Sequence, residues 1–393
     1  MKTLIELYDE RPIENVLASE VFRPERAIFL SPTKVAQSKT VKNKMIQYFR
    51  HCGLNTELVF LETSLYDTDK VAKQLKKVLN DYPDCVVDIT GGTDAALFAC
   101  GDVCMELNVP VFTYSRRKNS FFNIHHAEFA DNFPCRVKHS VEECFMMAGG
   151  AFKTGRVDNS ILGKYLDMIG PFFKIYMKHR TEWIRAVSYI QKASQPGKDG
   201  KVNLKVSANK TLSGSRGSKL KAPEKLLGEL ENIGMLKGLK ITENTVNFSF
   251  KDKQVRNWLR DIGSVLELKV YKTCLDLQLF NDVCTSAIVD WEAEFSSDSV
   301  TNEIDVMAMH GIFPVFISCK TSTVNTEALN ELAILRDRFG GKGSRAMIVT
   351  TQRCRSITRH RAFELDIGVI DLDDLKAGRL DENIRALMAL ERE

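Results

Sequence analysis

Four short apolar runs, AIFLS (27–31), TELVFL (56–61), CVVDIT (85–90) and VPVFTYS (109–115), are separated by helically patterned stretches at 38–52, 68–80 and 94–107. This alternation is the tightest constraint in the chain. Strands separated by helices of that length predict a parallel sheet covered on both faces across residues 1–150. Ligands of such sheets sit beyond the carboxyl ends of the strands, and three of those ends are polar: FLSPTK (29–34), DITGGTD (88–94) and TYSRRKNS (113–120). Gly91 and Gly92 let the backbone approach a ligand closely, and amides at a helix N-terminus attract phosphate. Thr90 and Thr93 add hydroxyls, and Arg116, Arg117 and Lys118 can meet phosphates. Alone, the Gly-Gly step would be an ordinary strand-to-helix turn. Three polar tips in one crevice predict a phosphate-rich ligand instead. The Rossmann-like pattern lacks G-x-G-x-x-G with a later ribose-binding acid, which argues against a dinucleotide-using enzyme.

The remainder reads as two further segments. Residues 158–192 look helical, with Trp183, Ile184, Val187 and Ile190 as a core stripe. The stretch 194–225 carries eight Lys/Arg against two acids and many Gly and Ser, and reads as a mobile linker. Residues 223–250 give a helix and then a hairpin around Glu243-Asn244, like a small winged-helix fragment. From 253 the pattern is mixed α/β: a helix around 253–272, strands near 283–291, 302–309 and 314–320, a helix at 326–338, and strands at 345–351 and 367–372.

Within that last segment, EIDVMAMHGIFPVFISCK (303–320) is mostly apolar yet carries Glu303, Asp305 and Lys320. Side chains two apart in a strand share a face, so Glu303 pairs in direction with Asp305, and Ser318 with Lys320. If the turn centres between Gly311 and Ile312, Asp305 lies opposite Ser318 and Glu303 opposite Lys320. Such a patch is costly in a core unless its charges are paired or bind metal. A cross-strand Glu–Lys pair on a solvated face remains the alternative. Upstream, in WLRDIGSVLELKVY (258–271), Gly263 breaks the chain before a helix carrying Glu267.

Composition sets outer bounds. The 393 residues suggest two or three domains, and 44% hydrophobic content suits globular cores. A net charge of +4 does not by itself announce a nucleic-acid binder. The start, MKTLIELYDERP, is too acidic for a secretory signal, and no apolar run approaches the roughly 18–20 residues that cross a bilayer. The ten scattered cysteines form no C-x-x-C pair, which predicts free thiols in a reducing cytoplasm.

Two resemblances draw these features together. The pieces GSVLE (263–267), NEIDV (302–306) and FISCK (316–320), with a following helix, resemble the PD-(D/E)XK nuclease superfamily. The resemblance implies Asp305 as central metal ligand, Glu267 as a second, the carbonyl of Cys319 as a further oxygen, and Lys320 beside the attacking water. Where that pattern wants a carboxylate two residues before the lysine, this chain has Ser318, and Glu303 would supply the missing acid; otherwise the site is weakened. DITGGTD, with SPT after the first strand, is similar to a CARF domain, and the opening MKTLIELYDERPIENVLA is similar to CARF–nuclease fusions. This implies a ligand site of Ser31, Pro32, Thr33, Thr90, Gly91, Gly92, Thr93, Asp94 and Arg116, with Asp94 standing where family motifs often show lysine.

The expected architecture is a Rossmann-like CARF domain (1–150), a helical and winged-helix-like segment (151–252) and a PD-(D/E)XK-like α/β domain (253–393). By resemblance the protein is a type III CRISPR ancillary nuclease. It would be a homodimer activated by cyclic oligoadenylate, usually cyclic tetra-adenylate. It would use manganese or magnesium to cut single-stranded RNA and DNA and to nick supercoiled duplex DNA. The competing reading is a sensor that binds nucleic acid without cutting, favoured by Ser318.

Overall fold

The N-terminal sheet is built around a strand that the apolar alternation omits. In a computed structural model describing residues 2–155, 157–195, 203–214, 218–291 and 301–389, β1 (Thr3–Leu7) is buried along its whole length. It is followed by β2 (Arg26–Ser31), β3 (Glu57–Glu62), β4 (Cys85–Asp88), β5 (Val111–Ser115), β6 (Ser120–His125) and β7 (Phe133–Pro134). Their order is β3-β2-β1-β4-β5-β6-β7, parallel from β3 through β5 and antiparallel beyond. SPT therefore follows the second strand, not the first. The chain runs outward from β1 through β3 and returns to β4 on the other side of β1. That reversal opens a crevice at the carboxyl ends of β1 and β4.

The helices between these strands form where expected. Asp67 caps Thr68–Asp81, whose Val71, Leu75 and Val78 are buried at helical spacing. Thr93 caps Asp94–Leu107, and Asn108 ends it in the left-handed region at φ 54°.

The chain next contributes β8 (Ala151–Thr154) to the C-terminal sheet before entering the helices Leu166–Lys178 and Trp183–Ala193. Trp183, Val187 and Ile190 are buried there as expected, but Ile184 is 59% exposed. The linker expectation for 194–225 is corrected: β9 (Lys205–Asn209) lies inside it, while β10 (Thr211–Ser213) pairs with β11 (Lys219–Lys221). Residues 196–202 and 215–217 of that stretch lie outside the described residues. β9 forms a three-stranded sheet with β12 (Leu236–Ile241) and β13 (Thr245–Phe250), packed on the helix Glu224–Asn232. Lysine and serine on the solvated side of β9 hide its alternation in the sequence.

The C-terminal sheet adds β14 (Asp282–Asp290), β15 (Thr301–His310), β16 (Phe313–Lys320), β17 (Arg345–Thr350) and β18 (Ile367–Ile370), in the order β18-β17-β16-β15-β14-β8. The helix expected around 253–272 is two, Lys253–Leu259 and Ser264–Asp276, broken before Ser264. Val306, Ala308, Val315 and Ile317 pack with Val265 and Leu268 on one face. Met307, Met309 and Phe316 pack with Leu329 and Leu332 on the other. Burial on both faces explains the nearly unbroken apolar run of the hairpin.

Candidate active site and sensor crevice

The hairpin closes in the expected register. His310 pairs with Phe313 and Val306 with Ile317, and Gly311 takes φ +63° in the turn. Just beyond the last pair, Ser318 Oγ donates to Asp305 Oδ2 at 3.1 Å and the Cys319 amide donates to the same oxygen at 2.6 Å. Lys320 Nζ stands 4.0 Å from that oxygen. Thr285 Oγ1 donates to the Asp305 carbonyl at 2.8 Å, tying the strand to β14. Burial pushes the Asp305 carboxyl above the usual range; Lys320, the Cys319 amide and Ser318 pull it down, and Glu303 pushes it further up.

Glu267 lies in the first turn of Ser264–Asp276, at the positive end of the helix dipole. A Cβ on Gly263 would sit 2.8 Å from Glu267 Oε1, so the glycine leaves room for that carboxylate. The Cys319 thiol is pushed far up, by burial first and then by the carboxylates of Asp305 and Glu267, with Lys320 opposing. Glu303 lies in the β15 stretch opposite Ile288 of β14 and accepts Ser286 Oγ at 2.7 Å. The β15–β16 ladder stops at Val306–Ile317, so the expected Glu303–Lys320 pairing is not part of it. Among the described residues, no group of three His, Cys, Asp or Glu side chains could hold a metal ion.

At the first sheet, the carboxyl ends of β1, β2, β4 and β5 gather. Gly92 adopts φ +101°, and a Cβ there would come within 2.8 Å of Leu7 Cβ, so the position requires glycine. Its amide donates to Asp9 Oδ2 at 3.0 Å. A Cβ already at Gly91 would be 3.0 Å from Asp9 Cβ. Arg11 forks onto Asp9 through Nε at 2.8 Å and Nη2 at 2.7 Å. Burial works to raise the Asp9 carboxyl, but hydrogen bonds from Arg11 and Gly92 hold it below the usual range. Arg116 forms an ion pair with the buried Glu14. Burial, reinforced by Arg11 and opposed by Asp9, pulls the Arg116 guanidinium down to about 10.

Thr90, Thr93, Ser31 and Thr33 are also engaged within the chain. Thr90 donates to Asp88 Oδ1 from its amide at 2.8 Å and its hydroxyl at 2.5 Å, and its oxygen accepts the Tyr114 amide at 2.9 Å. Thr93 Oγ1 donates to the Leu65 carbonyl. Ser31 is buried and bonds the Phe29 carbonyl at 3.2 Å, whereas Thr33 reaches Glu62 at 2.8 Å. Asp94 is exposed. Pro32 and Thr33 border an open cleft of 780 Å³ that also holds Lys34, Lys70, Lys73 and Lys77. Directly beneath the crevice, Glu6 and Asp88 are register neighbours on β1 and β4. Burial pushes both carboxyls up, Glu6 the more so for facing Asp88, whose own value reaches about 7 against the Thr90 hydrogen bonds. The sequence reading missed Asp9, Arg11 and Glu14. DERPIEN lies in the crevice only because β1 is a strand, and β1 is too short to announce itself.

Residues 252–390 match the family model described as Card1-like, endonuclease domain. No curated protein matches the chain. Among solved structures, protein VC1899 from Vibrio cholerae is similar, at TM-score 0.76 and 16% identity over 99% of this chain and 98% of that one. Can2 from Sulfobacillus thermosulfidooxidans, solved in complex with cyclic tetra-adenylate, is similar at TM-score 0.72 and 16% identity, over 99% of this chain and 100% of that one. The chain thus shares its whole-length fold with VC1899 and Can2. Within it, the C-terminal third is the part similar to the Card1-like endonuclease model.

Proposed function

We propose that the protein is a metal-dependent endonuclease gated by a cyclic oligoadenylate, cyclic tetra-adenylate being the first ring to test. Residues 1–150 would sense the ring, 151–252 connect, and 253–393 cut. The observation that supports the nuclease reading is the turning of Ser318, the Cys319 amide and Lys320 onto the Asp305 carboxylate within the segment similar to the Card1-like endonuclease model. The substrates would be single-stranded RNA and DNA and supercoiled duplex DNA, met in the cytoplasm during type III CRISPR defence. Among the described residues, no helix is long and apolar enough to cross a membrane.

The donor set fits a hard divalent cation, manganese or magnesium. Lys320 and two hydrogen bonds leave the buried Asp305 carboxyl above its usual range, so its charge is under-compensated. Magnesium is commonly held by one or two carboxylates with water filling the shell, which suits a site without a third acid. Asp305 and Glu267 would hold the ion, with the Cys319 carbonyl as a neutral oxygen. When bound, it supplies phosphoryl polarisation and hydroxide near neutral pH. Lys320 orients the attacking water and meets charge developing on the phosphate. Ser318 fixes the Asp305 carboxylate through its hydrogen bond. Glu303, held by Ser286, adds negative charge beside it.

The ring-binding reading rests on the crevice and on Can2, whose fold this chain shares and whose structure holds cyclic tetra-adenylate. Ser31, Pro32, Thr33, the loop Thr90–Asp94 and Arg116 would form the site, with the nearby lysines attracting phosphate. A second copy would complete it. Phe98 is 73% and Met105 59% exposed on the helix that follows the Gly-Gly loop, an apolar face suited to a twofold partner.

The test is cleavage of single-stranded RNA and DNA by the full chain with manganese, with and without rings of several sizes. Ring-dependent cutting that disappears in Lys320→Ala supports the proposal. Undiminished cutting by Lys320→Ala means the lysine is structural. The second reading, a sensor that binds nucleic acid without cutting, is favoured by Ser318, a neutral side chain where the nuclease pattern wants a carboxylate. It predicts ring-dependent gel shifts of intact substrate.

A further inference from the structure

The catalytic hairpin begins inside the sensor. Ile312 and Phe313, at its tip, are 5% and 4% exposed. They belong to one apolar cluster with Leu4, Leu17, Phe112, Tyr114 and Phe121 of the N-terminal sheet and its first helix. A seam of only 10 Å³ separates this tip from Glu14, Thr90 and Arg116 of the crevice. Gly343 closes the contact: a Cβ there would lie 2.7 Å from the Phe313 ring and 3.7 Å from Arg116 Cδ. The turn is gripped from the other side as well. The His139 amide donates to the Gly311 carbonyl at 3.1 Å, and the Gly311 amide donates to Asn281 at 2.7 Å. His139 in turn meets Glu20 at 2.8 Å.

From Phe313, β16 runs without interruption to Lys320, about 23–25 Å at strand rise. β15 returns beside it past Asp305. One rigid element thus touches the crevice at one end and carries the cleavage residues at the other.

We propose that this hairpin is the coupling element between the two sites, its Ile312–Phe313 tip reading the Arg116–Glu14 pair and its far end setting Asp305 and Lys320 for cleavage. The drive is electrostatic. A ligand phosphate that engages Arg116 competes with Glu14, a buried carboxylate that would then keep only Arg11 Nη1, at 3.8 Å. Glu14 and Ile13 both line the hairpin's seat, so a shift of the turn Pro12–Asn15 moves the surface on which Phe313 rests. Close packing converts that shift into displacement of the strand rather than local compression.

This inference rests on the ring-gated nuclease reading, and its test separates the two. Cyclic tetra-adenylate binding by calorimetry, cleavage with and without the ring, and thermal melting are measured on the full chain and on Phe313→Ala, Phe313→Leu and Glu14→Gln. Phe313→Ala is expected to bind the ring within about twofold of wild type, to keep unstimulated cleavage, and to lose about tenfold of the stimulation, a loss within the range for side chains that carry coupling. Phe313→Leu, which keeps most of the buried volume, covers the case in which the alanine variant melts early, and should lose about threefold. Glu14→Gln should raise unstimulated cleavage. Wild-type stimulation in folded Phe313→Leu, together with unaltered unstimulated cleavage in Glu14→Gln, would overturn the coupling while leaving the nuclease reading intact. A wild-type chain that neither binds the ring nor cuts would refute the functional reading itself.

Discussion

The two sites handle buried charge in opposite ways. At the hairpin, Asp305 keeps an under-compensated carboxylate: Lys320 stands off at 4.0 Å and the Asp305 carboxyl remains raised. In the crevice, the cationic groups are already engaged. Arg11 forks onto Asp9, Arg116 pairs with Glu14, and the Gly92 amide is taken by Asp9. A carboxylate short of positive charge is prepared for a cation. Donors already holding carboxylates accept a phosphate only by exchange, which ties ligand arrival to movement of protein groups. On the proposed reading, that difference separates the end that cuts from the end that signals.

That contrast is open to direct attack. Lys320→Ala should lower ring-stimulated cleavage by about a hundredfold or more in single-turnover assays, as loss of a group that meets transition-state charge does. A loss under about threefold would break the catalytic half of the comparison. Arg116→Gln should weaken cyclic tetra-adenylate binding by about ten- to a hundredfold in calorimetry, the scale of a charged hydrogen bond, measured on chains shown to melt cooperatively. Ser318→Ala removes one donor to Asp305 and should cost about tenfold in cleavage, whereas Ser318→Asp should tighten manganese binding by supplying a third acid.

The smallest effect concerns stability. The Asp88 carboxyl sits at about 7 in the fold, above its ordinary 3.8, so the folded chain holds a proton the unfolded chain has lost. Its contribution is therefore least unfavourable in acid and declines as pH rises from about 4 through 7. Asp88→Asn removes this penalty and keeps an acceptor for Thr90. It should raise the melting temperature by about 2–4 °C at pH 8, with the gain shrinking toward pH 4. An equal gain at both pH values would deny the carboxyl pair its place in the comparison.

How much of this the sequence disclosed follows from where its signals are local. Hairpin register was legible only through the turn, where Gly311 supplies the positive φ that centres it between Gly311 and Ile312; apolar residues on both faces leave the strands themselves little to set it. Glu267 was legible because Gly263 marks the break before its helix. The role of Ser318 as a donor to Asp305 was not, because it depends on which way a carboxylate turns at the end of a ladder. β1 was missed as five residues beside charged neighbours, and with it went Asp9, Arg11 and Glu14. β9 was missed because one solvated face makes a strand look like linker. Contacts between Phe313 and Tyr114 join distant parts of the chain, and no spacing rule reports them.

The central claim is that Asp305 binds a divalent cation beside Lys320 under remote control of a ring. Its most direct measurement is a manganese titration of ring-stimulated single-turnover cleavage for wild type and Asp305→Asn, each first shown to melt cooperatively. The account predicts saturable manganese dependence in wild type and cleavage at the no-metal baseline in Asp305→Asn at every concentration. Wild-type cleavage by Asp305→Asn, or cleavage indifferent to manganese and magnesium in both, would contradict it.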